Sequence, residues 1–127
     1  MSDWTKTNFD DIESFTGHDA PVIAKFGRSH IDSEELGVSR FTYSADSKAP
    51  FGHKHGSQEE AYVVVSGSGR MKLDNEVIDL VQWDLVRVAP DVVRAFEAGP
   101  DGLDLICVGG RRPEEGDGEM VDDFWDD

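Results

Sequence analysis

Cysteine is nearly missing: Cys107 is the one instance in 127 residues, so no disulfide can form within the chain. Its place in the apolar run LDLICVGG reads as a small core side chain rather than a nucleophile. Basic residues are scarce too, with 12 Lys and Arg against 27 Asp and Glu and a formal net charge of −15. Phosphate backbones and anionic membrane surfaces are held by clustered Lys and Arg, so this balance argues against nucleic acid or membrane lipid as a partner. Long apolar runs are absent as well. Nothing approaches the roughly 18 consecutive apolar residues of a membrane helix, and the N-terminal part has no apolar stretch of signal-peptide length. Cytoplasmic is the default expectation. Amphipathic helices are also lacking; DDIESF near the start is the best window, and it is weak.

The acidity is unevenly placed. Residues 113–127 carry eight Asp or Glu and no Lys or Arg, which leaves −7 for residues 1–112. This reads as a globular part over 1–112 with an N-terminal lead segment, followed by a loose acidic tail over 113–127. Met120, Val121, Phe124 and Trp125 give that tail the means to dock. The length is that of one domain, which buries roughly two thirds of the surface its unfolded chain exposes.

What the chain does have is short β-type runs. PVIAKFG (21–27), LGVSRFTYS (36–44), AYVVVSG (61–67), GRMKL (69–73), EVIDL (76–80), DLVRVA (84–89), VVRAFEA (92–98) and LDLICVG (103–109) are rich in Val, Ile and aromatics. Turn residues separate them, among them Ala49-Pro50, Gly67-Ser68-Gly69, Asp74-Asn75, Ala89-Pro90-Asp91 and Gly99-Pro100-Asp101-Gly102. RMKLD and DLVRVA alternate apolar with polar, as half-buried strands do, whereas AYVVV is apolar on both faces and suits a covered central strand. Eight runs at this spacing predict an all-β sandwich or barrel.

The chemistry concentrates in FGHKHGSQEEAYVVVSGSG, residues 51–69. His53 and His55 stand at i and i+2, so in an extended segment both imidazoles point to one face, able to hold one ion at about 2.0–2.2 Å. Glu59 and Glu60 point to opposite faces of the next strand, so at most one of them joins the histidines. Two histidines and one carboxylate leave positions open for substrate and suit iron(II), manganese or zinc. Tyr62 shares a face with Glu60. His18 and His30 are isolated in polar surroundings and are expected to face solvent. Ser66 to Gly69 lacks the following helix and lysine of a phosphate loop, so it reads as a turn.

Gly52, HKH, four residues, Glu60, six residues and Gly67 resemble the first motif of the cupin superfamily, over a likeness covering roughly residues 36–109. The resemblance implies a single-domain, jelly-roll-like barrel of the cupin double-stranded β-helix type, with His53, His55 and Glu60 as metal ligands. It selects Glu60 over Glu59. It also implies a tendency to dimerise, with the apolar lead around Trp4, Phe9 and Phe15 available to a partner's sheet. The second motif departs from the pattern in VRVAPDVVRAFEAG: Asp91 replaces a glycine after Pro90, Trp83 replaces an earlier glycine, and Arg94 stands where the fourth ligand, a histidine, is expected.

An arginine is always protonated and cannot ligate a metal. Three arrangements stay open. Arg94 pairs with Glu60 in the metal's place; or it turns to the barrel mouth and holds a carboxylate or phosphate in its planar fork; or a three-ligand metal site persists with Arg94 beside an anionic substrate. The leading expectation is a barrel that binds an anionic organic small molecule, with Arg94 as anchor and His53, His55, Tyr62 and Phe96 lining the same cavity. The alternative is a metal-dependent enzyme of dioxygenase or isomerase type. An interaction role for the acidic tail is a third class, and fold alone does not choose among them.

Overall fold

The computed structural model describes residues 3–17, 19–49, 51–111 and 116–125. The expectations for His18 and for a boundary at 112/113 fall outside these residues. Eight strands form one curled antiparallel sheet: β1 (Val22–Phe26), β2 (Gly37–Tyr43), β3 (Gly52–His55), β4 (Glu60–Leu73), β5 (Glu76–Leu80), β6 (Leu85–Val88), β7 (Arg94–Gly109) and β8 (Gly118–Val121). One path runs β1-β2-β7-β3-β8, and β4 pairs with β5, β6 and β7. The architecture is all-β, as expected. Near the start, in place of a longer helix, Phe9–Asp11 forms a 3-10 turn with Asn8 accepting from the backbone of Asp10. Among the described residues, no helix is long and apolar enough to cross a membrane.

The strand number agrees with the eight expected runs, but the strands differ. AYVVVSG and GRMKL fuse into β4, and VVRAFEA and LDLICVG fuse into β7. The glycine clusters between them, expected as turns, are facing irregularities in one long β4–β7 pair, where the register shifts between Val64 and Ser66 and again between Gly67 and Gly69. Gly67 and Gly102 both have φ near +80°, and a Cβ on Gly67 would lie 2.1 Å from the Gly102 carbonyl oxygen. Only glycine permits this approach.

The irregularities have a consequence for which side chains face inward. In the core, β7 contributes Phe96 and Ala98 from even-numbered positions and Leu103, Leu105 and Cys107 from odd-numbered ones. On β4 Tyr62 and Val64 give way to Met71 in the same manner. An extra residue flips a strand's faces, so matched bulges let both strands bend while the interior stays apolar. The core contains Tyr43, Tyr62, Val64, Met71, Leu80, Val88, Phe96, Leu105 and Cys107.

The turn before β6 explains the Trp83 departure. Asp84 closes it by accepting from the backbone of Val81, and Trp83 lies at φ +73° with its indole largely exposed. This is a backbone region where glycine is the unstrained choice.

Two further strands come from segments too polar to read as strands. β3 is GHKH, and β8 lies inside the acidic segment expected to be a loose extension. β8 pairs along all of β3, with His53 opposite Met120 and His55 opposite Gly118. The tail is tied down beyond β8 as well: the Lys72 ammonium donates to the Phe124 carbonyl at 2.5 Å, and Trp125 lies between Lys48 and Arg70 at 5.2 and 5.3 Å. Gly52 is needed here, because a Cβ would lie 2.7 Å from the Phe124 ring.

On its other side β3 registers with β7 only at His53 opposite Arg94. Deleting residues 113–127 is therefore expected to release β3 and cost about 2–5 kcal/mol, from several backbone hydrogen bonds at about 0.5–1.5 each. Urea denaturation of full-length and shortened chains checks this; equal midpoints would show that β8 does not hold β3.

Candidate metal centre

β3 and β4 bring the two histidines and the glutamate to one inward face. Donor atoms of His53, His55 and Glu60 all lie within 4.8 Å of one another. Glu60 Oε1 is 3.7 Å from His53 Nε2 and 3.4 Å from His55 Nε2. Ligands bonded to one ion at about 2.0–2.2 Å stand roughly 3–4 Å apart, so these separations fit a shared ion. The imidazoles are perpendicular, with centroids 5.3 Å apart. Glu59 points the other way and pairs with Arg87 at 2.6 Å.

The surroundings orient each ligand. Tyr62, buried in the core, donates its hydroxyl proton to Glu60 Oε1 at 2.5 Å and lies 3.5 Å from His53 Nε2. His55 Nδ1 is 2.9 Å from Asp117 Oδ1, and Asp117 Oδ2 accepts from the backbone N–H groups of Ser57 and Gln58 at 2.6 and 2.9 Å. A carboxylate accepts and cannot donate, so this contact places a proton on Nδ1. The neutral ring then turns the lone pair of Nε2 toward Glu60. Nε2 is buried and has no hydrogen-bond partner among the described residues. A lone pair facing a carboxylate oxygen at 3.4 Å requires a cation or a proton between them. The carboxylate–histidine arrangement is the one that fixes metal-bound imidazoles.

Arg94 is fully buried, with Nη2 on the Ala89 carbonyl at 3.0 Å and Nη1 near the Pro90 carbonyl at 3.4 Å. Its Nε is 3.9 Å from Glu60 Oε1 and makes no hydrogen bond. The fork is thus occupied by the backbone of the 89–90 turn. It does not take the ion's place, because it leaves Glu60 without a hydrogen bond from the guanidinium. It stands beside Glu60 as a balancing charge. Phe96 packs in the core against Tyr62 and Tyr43 at centroid distances of 4.9 and 6.1 Å. His30 is exposed.

A cavity of about 170 Å³ opens beside the centre, lined by Phe26, Arg28, Gly37, Ser39, His55, Gln58, Glu60, Cys107 and Gly109. Of the five residues expected to line one cavity, only His55 is among its lining; Arg94, Phe96, Tyr62 and His53 are not. Burial pushes the Cys107 thiol up, with the Glu60 carboxylate adding to the effect, which keeps it a neutral wall group. Asp117, Arg28 and Gln58 carried no local signal in the sequence.

The ionisable groups are coupled. Burial alone would raise Glu60, but the adjacent His53 and His55 and the Tyr62 hydroxyl outweigh it and hold the carboxyl well below its usual range. Asp117 is held at about 2, because the Ser57 N–H, His55 and the Gln58 N–H overcome the opposing effect of desolvation. His55 is raised, first by Glu60, against desolvation and with help from Asp117.

Depressed carboxylates stabilise the fold above their ordinary values of 4.5 and 3.8 and lose that contribution as pH falls through their folded values. The raised histidine stabilises below 6.5 and loses its contribution as pH rises through its folded value. Metal-free protein is therefore expected to be most stable between about pH 4.5 and 6.5. Urea midpoints across pH 2–9 check this; an optimum above pH 8 would contradict the coupling.

No protein-family profile matches the chain. An uncharacterized protein of Methanocaldococcus jannaschii is 29% identical over 108 residues, covering 80% of this chain and 82% of that protein. A cupin protein from Bacteroides fragilis superposes with TM-score 0.72 at 26% identity, covering 90% of this chain and 89% of that one. The nucleoside dehydratase Pac13 of Streptomyces superposes with TM-score 0.76 at 17% identity, covering 94% and 92%. That second likeness is one of fold.

Proposed function

The chain belongs to the cupin superfamily, and from that premise we propose that it is a metal-dependent small-molecule cupin in which His53, His55 and Glu60 hold one divalent transition ion of the iron, manganese or zinc type. The observation that carries this is the bare, buried Nε2 of His55, fixed by Asp117 and directed at Glu60. When bound, such an ion polarises an oxygen of the ligand as a Lewis acid. The protein's own residues do the rest. Asp117 fixes the His55 tautomer, Tyr62 orients Glu60, and the adjoining cavity admits the small molecule next to the ion. Arg94 offsets part of the Glu60 charge, which weakens cation affinity relative to a four-ligand site and leaves more of the ion's face for ligand.

The metal-free alternative, a binding barrel without an ion, loses support from the same geometry. Without an ion, only a proton on His55 Nε2 keeps that buried nitrogen from being left without a partner, a loss that costs about 1–3 kcal/mol.

Elemental analysis of protein purified without a histidine tag is expected to give close to one iron, manganese or zinc per chain. His55→Ala and Glu60→Gln should abolish this. Asp117→Asn, which touches no ion, should lower affinity by about 10–100-fold. Arg94→His should raise it, since residue 94 stands opposite His53. Protein that is metal-free as isolated and takes up none of the three ions would refute the proposal.

A further inference from the structure

The cavity beside the metal centre contains a cation that the arrangement above leaves unused. Residues paired across neighbouring strands share a face, and Glu60 on β4, Gly109 on β7 and Gly37 on β2 form one such row. The two glycines leave a trough leading from the Glu60 carboxylate toward β2. A Cβ on Gly37 would lie 2.4 Å from Arg28 Nη2, and a Cβ on Gly109 would lie 2.4 Å from Gln58 Nε2. A guanidinium and an amide therefore occupy the space that side chains would otherwise fill. Both are tethered to one backbone group, the Gly110 carbonyl, from Arg28 Nη2 at 2.8 Å and Gln58 Nε2 at 3.1 Å.

Arg28 differs from most of the chain's other arginines. Arg40, Arg70, Arg87, Arg94 and Arg111 each have a carboxylate within 4 Å. Arg28 has none among the described residues, in a protein where acids outnumber bases by 27 to 12. Of its five N–H donors one is used by Gly110, and the side chain lines the cavity.

We propose that Arg28 is the anchor for the carboxylate of a small organic acid whose opposite polar end reaches His55 and Glu60. The inference rests on reading this barrel as a small-molecule site. Size and charge define the class. At about 170 Å³ the cavity is below the roughly 300–1,000 Å³ of pockets for drug-sized ligands, which selects a short acid. Ser39 and Cys107 supply the wall between the two ends. The charge selects a carboxylate over a phosphate: Glu60 lines the same cavity, so a monoanion enters against less repulsion than a dianion. A planar guanidinium matches a carboxylate bidentately, which makes the anchor orienting as well as attractive.

The test uses full-length protein with its metal content measured in parallel. Monocarboxylates of two to six carbons, including lactate, are titrated by NMR or calorimetry, with lactamide as the neutral isostere of lactate and inorganic phosphate as the competing anion. At least one acid should bind saturably. Lactamide should bind about tenfold or more weakly than lactate, as should every acid to Arg28→Gln, the loss expected for a charge-assisted hydrogen bond. Arg28→Lys should recover part of the binding, which separates a lost anchor from a lost fold, and the metal content of all variants should match wild type. Overturning results are no saturable binding of any acid, undiminished binding by Arg28→Gln, or inorganic phosphate binding more tightly than the acids. Metal-loaded protein that binds no acid removes the anchor alone. Metal-free protein with Arg28-dependent acid binding keeps the anchor and removes the metal assignment.

Discussion

The site depends on how β8 holds β3. Strand β3 is four residues long, carries both histidines, and registers with the rest of the barrel through His53 and Arg94. A strand this short and polar has little apolar burial of its own to fix it. Chain from the C-terminal segment supplies both missing constraints, because β8 pairs along the whole of β3 and Asp117, just before β8, accepts a hydrogen bond from His55 Nδ1. Backbone pairing sets where the imidazoles sit, and one carboxylate sets which nitrogen faces Glu60. The acidic segment is thus part of the site's construction.

The centre works with opposing charges at close range. Glu60 is approached by two imidazoles and a tyrosine hydroxyl, with a guanidinium behind them at 3.9 Å. A buried carboxylate surrounded in this way stays ionised, and a buried arginine with its fork on backbone carbonyls stays where it is. With Arg94 where the cupin pattern has a histidine, three candidate ligands remain, with a positive charge beside them. Exchange of ligand at an ion held by three protein groups is easier than at a closed shell, which suits binding or chemistry more than a structural role.

Much of this was legible in the sequence, and the limits have physical causes. Val- and Ile-rich runs marked the strands, and the histidine pair, Glu60 and Gly67 marked the fold and three of the site's groups. Glycine and proline clusters mark turns and bulges alike, because both need backbone conformations or close approaches that other residues resist. Gly67 and Gly102 therefore read as chain reversals when they are facing bulges in β4 and β7. GHKH and GEMV are too short and polar for a strand signal. Asp117 is one of eight acids in its segment, and its partner His55 lies 62 residues away. The direction of the Arg94 fork depends on the Ala89 and Pro90 carbonyls, and the role of Arg28 depends on the absence of side chains at Gly37 and Gly109. None of these pairings has a local signature.

The central claim, that Asp117 fixes His55 so that its Nε2 offers a lone pair to a shared ion, is tested most directly by nitrogen-15 NMR of the histidine side chains. In metal-free protein at pH above the raised His55 value, the account requires His55 protonated at Nδ1 with Nε2 bare. One equivalent of zinc should then shift the Nε2 resonances of His53 and His55 together, leaving His30 unchanged. A His55 protonated at Nε2 toward Glu60, with no response of either imidazole to zinc, would contradict it.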